Sequence, residues 1–159
     1  LSLVGSEMCI RDRYLAALSA NRQMLQSIRR YVESGGKLLA ECGGMMYLCD
    51  EIRDKNGYVY PMAGVLHQSA TMENMKLRLG YRTLLYNETR LKGHEFHYSR
   101  LVEQQNPLPS CAVAYTAKGV ETDTPLYHYK NVWAGYTHLY WADPVGNEWF
   151  TKFVIDGNI

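Results

Sequence analysis

The stretch GGKLLAECGGMMYL, residues 35–48, decides the fold of this chain. It contains an apolar run, KLLAEC at residues 37–42, between two glycine pairs, and a second apolar segment follows. A short apolar run bounded by turn residues is typical of a strand buried on both faces of a parallel sheet. We therefore predict that a strand turns sharply into a helix at Cys42 and that the fold is α/β.

The flanking segments fit the same fold class. Over residues 14–34 apolar side chains recur at helical spacing, and the glycines at 35–36 supply a stop signal. Asn56-Gly57 predicts a hairpin turn. A final helix is predicted over residues 142–155, with Asp143 as its N-cap. Four segments rich in aromatic and β-branched residues are predicted strands: residues 77–86, 93–101, 111–119 and 131–141.

Composition bounds the number of domains and the kinds of partner. The 159 residues are 47% hydrophobic, which suffices for one sizeable core and not for two ordinary domains. A net charge of +1 favours neither nucleic acid nor an anionic membrane as a partner. No apolar run approaches the roughly 18 to 20 residues that span a bilayer. The four cysteines form no C-x-x-C pair, so we expect no disulfide framework and a cytoplasmic location.

The first thirteen residues, LSLVGSEMCIRDR, differ in character from the rest. They show neither strand alternation nor a helical stripe, and they resemble the translated adaptor read-through of some metagenomic gene predictions. We expect residues 1–13 to be a non-native leader and residues 14–159 to be the domain. A natural, disordered leader is the alternative.

Cys42 is the first candidate for chemistry. A side chain at a sharp strand-to-helix turn is held clear of the sheet, and Gly43 and Gly44 let the backbone bend there. Backbone N–H groups at the start of the helix would favour a thiolate and a developing oxyanion. A packed structural cysteine is the alternative, because free cysteine is among the most buried residue types. Spacing alone leaves both interpretations open.

The remaining cysteines and histidines give weaker signals. Cys49 and Cys111 are predicted core residues, since a zinc site needs four convergent ligands in close pairs, and no metal site is predicted. His94 and His97 lie three apart in a predicted strand, hence on opposite faces, which makes them poor joint ligands. His138 follows "VWAGYT" at the expected carboxyl end of a strand, where reacting groups gather in α/β folds. It is the candidate base for a cysteine nucleophile.

Four motifs, taken in order, resemble one family: LLAECGGMMYL (38–48), LGYRTL (79–84), GHEFHYSRL (93–101) and NVWAGYTHLYWADP (131–144). They are similar to the C-terminal glutamine amidotransferase domain of cobyrinic acid a,c-diamide synthase, over about residues 14–154. The resemblance implies a class I glutamine amidotransferase-like, flavodoxin-like fold: a parallel sheet flanked by helices, with an antiparallel β extension. It also implies that the N-terminal strands of that fold are missing, because they should lie where residues 1–13 now stand.

The resemblance assigns roles to single residues. Cys42 takes the family's nucleophile position in ECGG, and His138 takes the position in THLYW of the histidine that activates it. The backbone N–H of Gly43 is a candidate oxyanion donor. Ordinary class I enzymes carry a glutamate two residues after the histidine, where this chain has Tyr140. Glu95 is the candidate for orienting His138 in its place.

The resemblance also implies substrates and partners. Glutamine would give ammonia through a glutamyl thioester, and a corrinoid would accept it. No cofactor is expected in this domain; ATP and magnesium are expected in a preceding synthetase domain, since no G-x-x-x-x-G-K-[ST] loop occurs here. The predicted function is the ammonia-supplying part of an ATP-dependent cobyrinate a,c-diamide synthase of cobalamin biosynthesis, a carbon–nitrogen ligase, weak or inactive as this fragment alone. The alternatives are a nickel-sirohydrochlorin a,c-diamide synthase and a degenerate, non-catalytic interaction module.

Overall fold

The computed structural model describes the backbone of residues 2–5 and all of residues 14–155. The helices in these ranges are α1 (Leu15–Ala20), α2 (Arg22–Glu33), α3 (Gly43–Leu48) and α4 (Pro144–Ile155). The strands are β1 (Ser2–Gly5), β2 (Leu38–Cys42), β3 (Glu51–Arg53), β4 (Val59–Pro61), β5 (Ser69–Thr71), β6 (Arg78–Tyr86), β7 (Thr89–His97), β8 (Arg100–Leu101), β9 (Val113–Thr116), β10 (Glu121–Thr122), β11 (Leu126–Tyr129), β12 (Val132–Gly135) and β13 (His138–Leu139).

The central sheet has the strand order β1-β2-β12-β11, in which β1, β2 and β12 are parallel and β11 is antiparallel. Every residue of β2 is buried, as the apolar run predicted. Successive side chains of a strand point to opposite faces. Leu38 and Ala40 therefore pack into one apolar core, and Leu39 packs into a second core on the other face.

Two further sheets complete the fold. An antiparallel sheet has the order β10-β9-β6-β7-β13, and its residues Leu84 and Leu91 belong to the second core with Leu39. A smaller sheet has the order β4-β3-β5-β8. The predicted hairpin at Asn56-Gly57 joins β3 to β4, and Gly57 adopts a positive φ of 83° there. The α/β architecture with an antiparallel β extension is confirmed.

The predicted first helix is two helices. Asn21 separates α1 from α2, and its side-chain oxygen accepts the Met24 N–H at 3.1 Å as the N-cap of α2. At the other end of α2, Gly35 has a φ of 89°, and the Gly36 N–H donates to the Tyr31 carbonyl. That is the glycine stop that the sequence predicted.

Three other expectations are corrected. The predicted strand over residues 93–101 is divided, because β7 ends at His97 and β8 pairs in the smaller sheet. The helix after Cys42 ends at Leu48, so Cys49 is a C-cap residue with extended backbone and not a residue inside a longer helix. The predicted strand over residues 131–141 is two strands in different sheets, because the chain leaves the central sheet after Gly135 and joins the antiparallel sheet at His138.

Residues 2–5 form a strand, although the first thirteen residues show neither strand alternation nor a helical stripe. It pairs in parallel with β2, with Ser2 opposite Leu39 and Gly5 opposite Cys42. Four residues are too few for alternation to reveal a strand. One strand therefore does lie on this side of β2, although N-terminal strands were expected to be missing. Residues 6–13 lie outside the described residues, and the origin of residues 1–13 stays a prediction.

The final helix begins as predicted. Asp143 precedes Pro144, and its carboxylate lies against Lys92 and the N–H groups of Val145 and Gly146, all of which lower its pKa. At the helix end, the Lys37 ammonium donates to the carbonyl oxygens of two of the last residues, at 2.8 and 3.1 Å. Cations at the C-terminal carbonyls stabilise a helix.

Candidate active site

Cys42 stands at the predicted strand-to-helix turn in an unusual backbone conformation. It ends β2 and directly precedes α3, with φ at 52° and ψ at −110°. Residues other than glycine rarely take a positive φ, and this ψ also lies outside the left-handed helical region that they visit. Such a conformation costs about 1 to 3 kcal/mol and persists where the surrounding structure holds it, most often at functional sites.

Cys42 and Cys49 have the same degree of burial, but only Cys42 has a strained backbone conformation. Cys42 and Cys49 are both fully buried. Cys49 has an ordinary extended backbone, with φ at −64° and ψ at 170°, and its thiol faces the Met45 carbonyl at 3.6 Å. Burial raises its pKa to about 12, so its thiol stays protonated. A small apolar side chain can be packed without strain, so the conformation of Cys42 needs another explanation.

Cys111 is likewise a packed cysteine, though only partly buried. Its thiol donates to the Leu126 carbonyl oxygen at 3.1 Å, and burial raises its pKa to about 11. The prediction that Cys49 and Cys111 lie in the core is confirmed for Cys49, which belongs to the first core, whereas Cys111 is partly buried and packs against the second. Among residues 14–155, no group of three or more His, Cys, Asp and Glu side chains is arranged to hold a metal ion.

His138 begins β13, just beyond the point where the chain leaves the central sheet. It lies opposite His94 of β7, and the two rings stack with centroids 5.1 Å apart. A close approach of the two strands makes this possible. A Cβ atom on Gly93 would overlap the His138 carbonyl oxygen and lie 2.6 Å from Cγ2 of Thr137. Gly93, in the GHEFHYS motif, thus lets the strand that carries His138 lie flat against β7.

Glu41 is next to Cys42 in sequence and contacts His138 in space. It immediately precedes Cys42, and by alternation along β2 it shares a face with Leu39. Its Oε1 accepts the Leu139 N–H at 3.0 Å, and its Oε2 lies 3.8 Å from Nδ1 of His138. Because Glu41 is covalently next to Cys42, these contacts place His138 against the residue that precedes the turn at Cys42.

The two ionisable groups of this contact are shifted toward their neutral forms. Burial raises the pKa of Glu41 to about 7, against a smaller opposing effect of the Leu139 hydrogen bond. Burial also lowers the pKa of His138, and the nearby His94 and His97 lower it further. A neutral imidazole at ordinary pH is the form that can accept a proton from a thiol.

Glu41 was missed at the sequence level, although its position carries a signal. It is an acidic residue inside a strand whose other positions are apolar, and acidic side chains are almost never fully buried without a partner. Only 4% of its surface is exposed.

Glu95, the candidate orienting residue, has different neighbours. Its fully buried carboxylate lies 2.8 Å from Nη2 of Arg82 and 3.8 Å from Nε2 of His97. Burial raises its pKa, but His97, Thr124 and Arg82 together lower it below the usual value. Its side chain is on the buried face of β7, whereas His94, which stacks on His138, is on the exposed face. The carboxylate beside His138 is therefore that of Glu41.

A cavity of about 310 Å³ is lined in part by His97. His97 stacks on Tyr136 with ring centroids 3.8 Å apart, and both residues line this cavity together with Arg78 and Asp123. Neither Cys42 nor His138 is among its lining residues.

The fold defines the class of protein. A crystal structure of a glutamine amidotransferase superposes on the chain with a TM-score of 0.52, covering 85% of this chain and 70% of that chain at 19% sequence identity. The fold is therefore that of a glutamine amidotransferase. The family model of the CobB/CobQ-like glutamine amidotransferase domain matches residues 3–145. The chain belongs to this family.

Within this family, the chain is similar in sequence to several a,c-diamide synthases. The cobyrinate a,c-diamide synthase of Fusobacterium nucleatum is 35% identical over 137 residues, and that of Caldanaerobacter subterraneus is 38% identical over 130. The hydrogenobyrinate a,c-diamide synthase of Stutzerimonas stutzeri is 35% identical over 135 residues. These matches cover 77 to 84% of this chain and 28 to 31% of the relatives. The chain thus spans less than a third of their length.

The described part of the chain contains no helix that is both long and apolar enough to cross a membrane.

Proposed function

We propose that this domain releases ammonia from glutamine, with Cys42 as the nucleophile and His138 as its base. The observation that carries the proposal is the strained turn at Cys42, together with the contacts that link its neighbour Glu41 to the His138 strand. Nucleophiles of hydrolytic enzymes are displayed on such strand-to-helix turns. The membership of the glutamine amidotransferase family supports the same chemistry.

The reaction divides into two steps. His138 takes the thiol proton of Cys42, and the sulfur attacks the side-chain amide carbon of glutamine to give a tetrahedral oxyanion. The backbone N–H of Gly43, the first residue of α3, would bind that oxyanion. When the carbon–nitrogen bond breaks, the imidazolium returns its proton to the leaving ammonia. A water molecule, deprotonated by His138, then cleaves the glutamyl thioester and releases glutamate.

The fate of the ammonia is proposed from the named relatives. They are cobyrinate and hydrogenobyrinate a,c-diamide synthases, so a corrinoid carboxylate is the acceptor that we propose for the whole protein. ATP and magnesium would bind in the part of such a synthase that this chain does not match. Another tetrapyrrole, such as nickel-sirohydrochlorin, would suit the same ammonia-releasing chemistry, and a non-catalytic interaction module remains the alternative of a different kind.

The first prediction concerns the identity of the nucleophile. The 159-residue chain is treated with 6-diazo-5-oxo-L-norleucine, a glutamine-analogue electrophile, and the adduct is located by intact mass and peptide mapping. We expect one equivalent on Cys42, none after Cys42→Ala, and labelling slowed at least about 100-fold by His138→Ala, because the thiol loses its base.

The matched control is Cys49→Ala. This variant removes a cysteine that is equally buried but held in its protonated form, so the label on Cys42 should be unchanged. Equal labelling of the Cys42→Ala variant, or an unlabelled Cys42 in a protein of the relatives' full length, would favour the non-catalytic interaction module.

A further inference from the structure

The hydrogen bond that Glu41 accepts does not explain why a buried residue at this position carries an ionisable carboxyl group. Its Oε1 serves as the acceptor for the Leu139 N–H. A glutamine side chain would accept the same hydrogen bond, and it would avoid the desolvation that disfavours a buried charge. Among residues 14–155, no lysine or arginine forms an ion pair with Glu41. The ionisable group that faces its second oxygen is His138.

His138 lies in surroundings that oppose its protonation. Its side chain is only 17% exposed, the His94 ring stacks on one of its faces, and the charge of His97 acts in the same direction. A base that must become an imidazolium during the reaction needs a counter-charge in such a place. Glu41 is the carboxylate within 4 Å of it.

We propose that Glu41 is the positioning residue of His138, accepting its Nδ1–H and stabilising the imidazolium that forms when His138 takes the proton of Cys42. This inference rests on the proposed function, and it adds a third group to the pair of Cys42 and His138. With Nδ1 held by Glu41, Nε2 is the ring nitrogen left for proton transfer. The same division of labour operates wherever a carboxylate orients a catalytic histidine.

The geometry needs only a small adjustment. The Nδ1–Oε2 distance of 3.8 Å exceeds a hydrogen bond by less than 1 Å, while the Leu139 N–H already anchors the other oxygen. Catalytic hydrogen bonds are often long in free enzymes and tighten when substrate binds. The nucleophile and the group that orients its base would thus be consecutive residues of one strand.

Glu41→Gln gives a directional test, because the amide has one acceptor and one donor end. The acceptor oxygen is required by the Leu139 N–H, so the amide NH₂ group would face Nδ1 of His138. The ring would then carry its proton on Nε2, where it cannot accept the proton of Cys42. We expect labelling of Cys42 by 6-diazo-5-oxo-L-norleucine to slow at least about 100-fold, with partial recovery in Glu41→Asp.

The ring tautomer gives a readout that is independent of labelling. Two-dimensional ¹H–¹⁵N spectra of the histidine rings are recorded at pH 8, where Glu41 is ionised, and the signal of His138 is assigned by its loss in His138→Ala. They should show neutral Nδ1–H in the wild type and neutral Nε2–H in Glu41→Gln. Glu95→Gln removes another buried carboxylate from the same region and is the matched control. Its His138 signal should keep the wild-type tautomer.

The results separate this inference from the proposed function. An identical tautomer and ring pKa of His138 in the wild type and in Glu41→Gln would overturn the positioning role, whatever the labelling rates are. If His138→Ala labels as fast as the wild type, the proposed base is wrong; a tautomer shift in Glu41→Gln would still support the contact between Glu41 and His138.

Discussion

At the scale of the residue, the turn at Cys42 requires a backbone that glycine adopts more easily than any other residue. The position nevertheless holds a cysteine, with φ at 52°, inside a fully buried segment. Filling space in the core does not explain why a residue other than glycine stands at a position with this backbone conformation. The strained backbone is the reason to read Cys42 as a nucleophile and Cys49 as a packed cysteine, although the two are equally buried.

This strain predicts opposite effects of glycine at the two cysteines. Cys42→Gly should be more stable than Cys42→Ala by about 1 kcal/mol, because glycine relieves the positive φ. At Cys49, where φ is −64°, the glycine variant should be the less stable one by about 0.5 to 1 kcal/mol. Urea unfolding of the four variants measures both differences. Alanine being preferred at both positions would contradict the strained turn.

At the scale of the element, the position of His138 is set where the chain changes from the central sheet, at β12, to the antiparallel sheet, at β13. The two strands are separated only by Tyr136 and Thr137, yet they belong to different sheets. This passage carries His138 away from the central sheet and against β7, where Gly93 leaves room for its backbone. The position of His138, the proposed base, therefore depends on a glycine in another strand.

Gly93→Ala should displace the His138 backbone. The added methyl group would overlap the His138 carbonyl oxygen, and backbone cannot move aside as a flexible side chain can. We expect a loss of about 1 to 3 kcal/mol in the free energy of unfolding, together with slower labelling of Cys42. Arg90→Ala, an exposed position on the same strand, is the control and should change both measurements little. Unchanged labelling in a destabilised Gly93→Ala chain would show that the position of β13 does not limit the chemistry.

Periodicity and turn chemistry were enough to predict β2, the Asn56-Gly57 hairpin and the final helix. They could not separate β12 from β13, because an extended chain that changes sheets keeps the same apolar character throughout. The strand β1 is too short to show a pattern. At the site, the glycines around Cys42 predicted the turn, but the contact of Glu41 with His138 spans 97 positions of sequence and comes from the sheet register alone.

At the scale of the whole molecule, Glu41 links the charge of the site to the stability of the fold. Its pKa is raised from 4.5 to about 7, so between these two pH values the folded state holds a proton that the unfolded chain has lost, and above pH 7 the carboxylate is ionised in both. The stabilisation from this group is present in full below pH 4.5 and is lost as the pH rises through 7. The groups that face it are Leu139 N–H and His138 of β13, and His138 titrates with its own pKa lowered.

Glu41→Gln should therefore gain stability over the wild type as the pH rises. Between pH 5 and pH 8 the difference in free energy of unfolding should move in favour of the variant by about 2 to 3 kcal/mol. Denaturant unfolding of both proteins at the two pH values gives this quantity once the difference in the His138 ring pKa, measured by NMR, is subtracted, because the titrations of distant groups cancel. A difference that does not change with pH would mean that Glu41 ionises in the folded chain as it does in water.

The same carboxylate also acts on the fidelity of folding. Along β2, Leu38 and Ala40 enter one core while Leu39 and Glu41 face the other. If β2 paired with β12 one residue out of register, every side chain would exchange faces, and Glu41 would enter the apolar core of Leu38. Apolar residues tolerate such an exchange, whereas a carboxylate without a partner does not. A strand that is otherwise uniformly apolar thus carries, beside Cys42, the one residue that penalises a misaligned sheet.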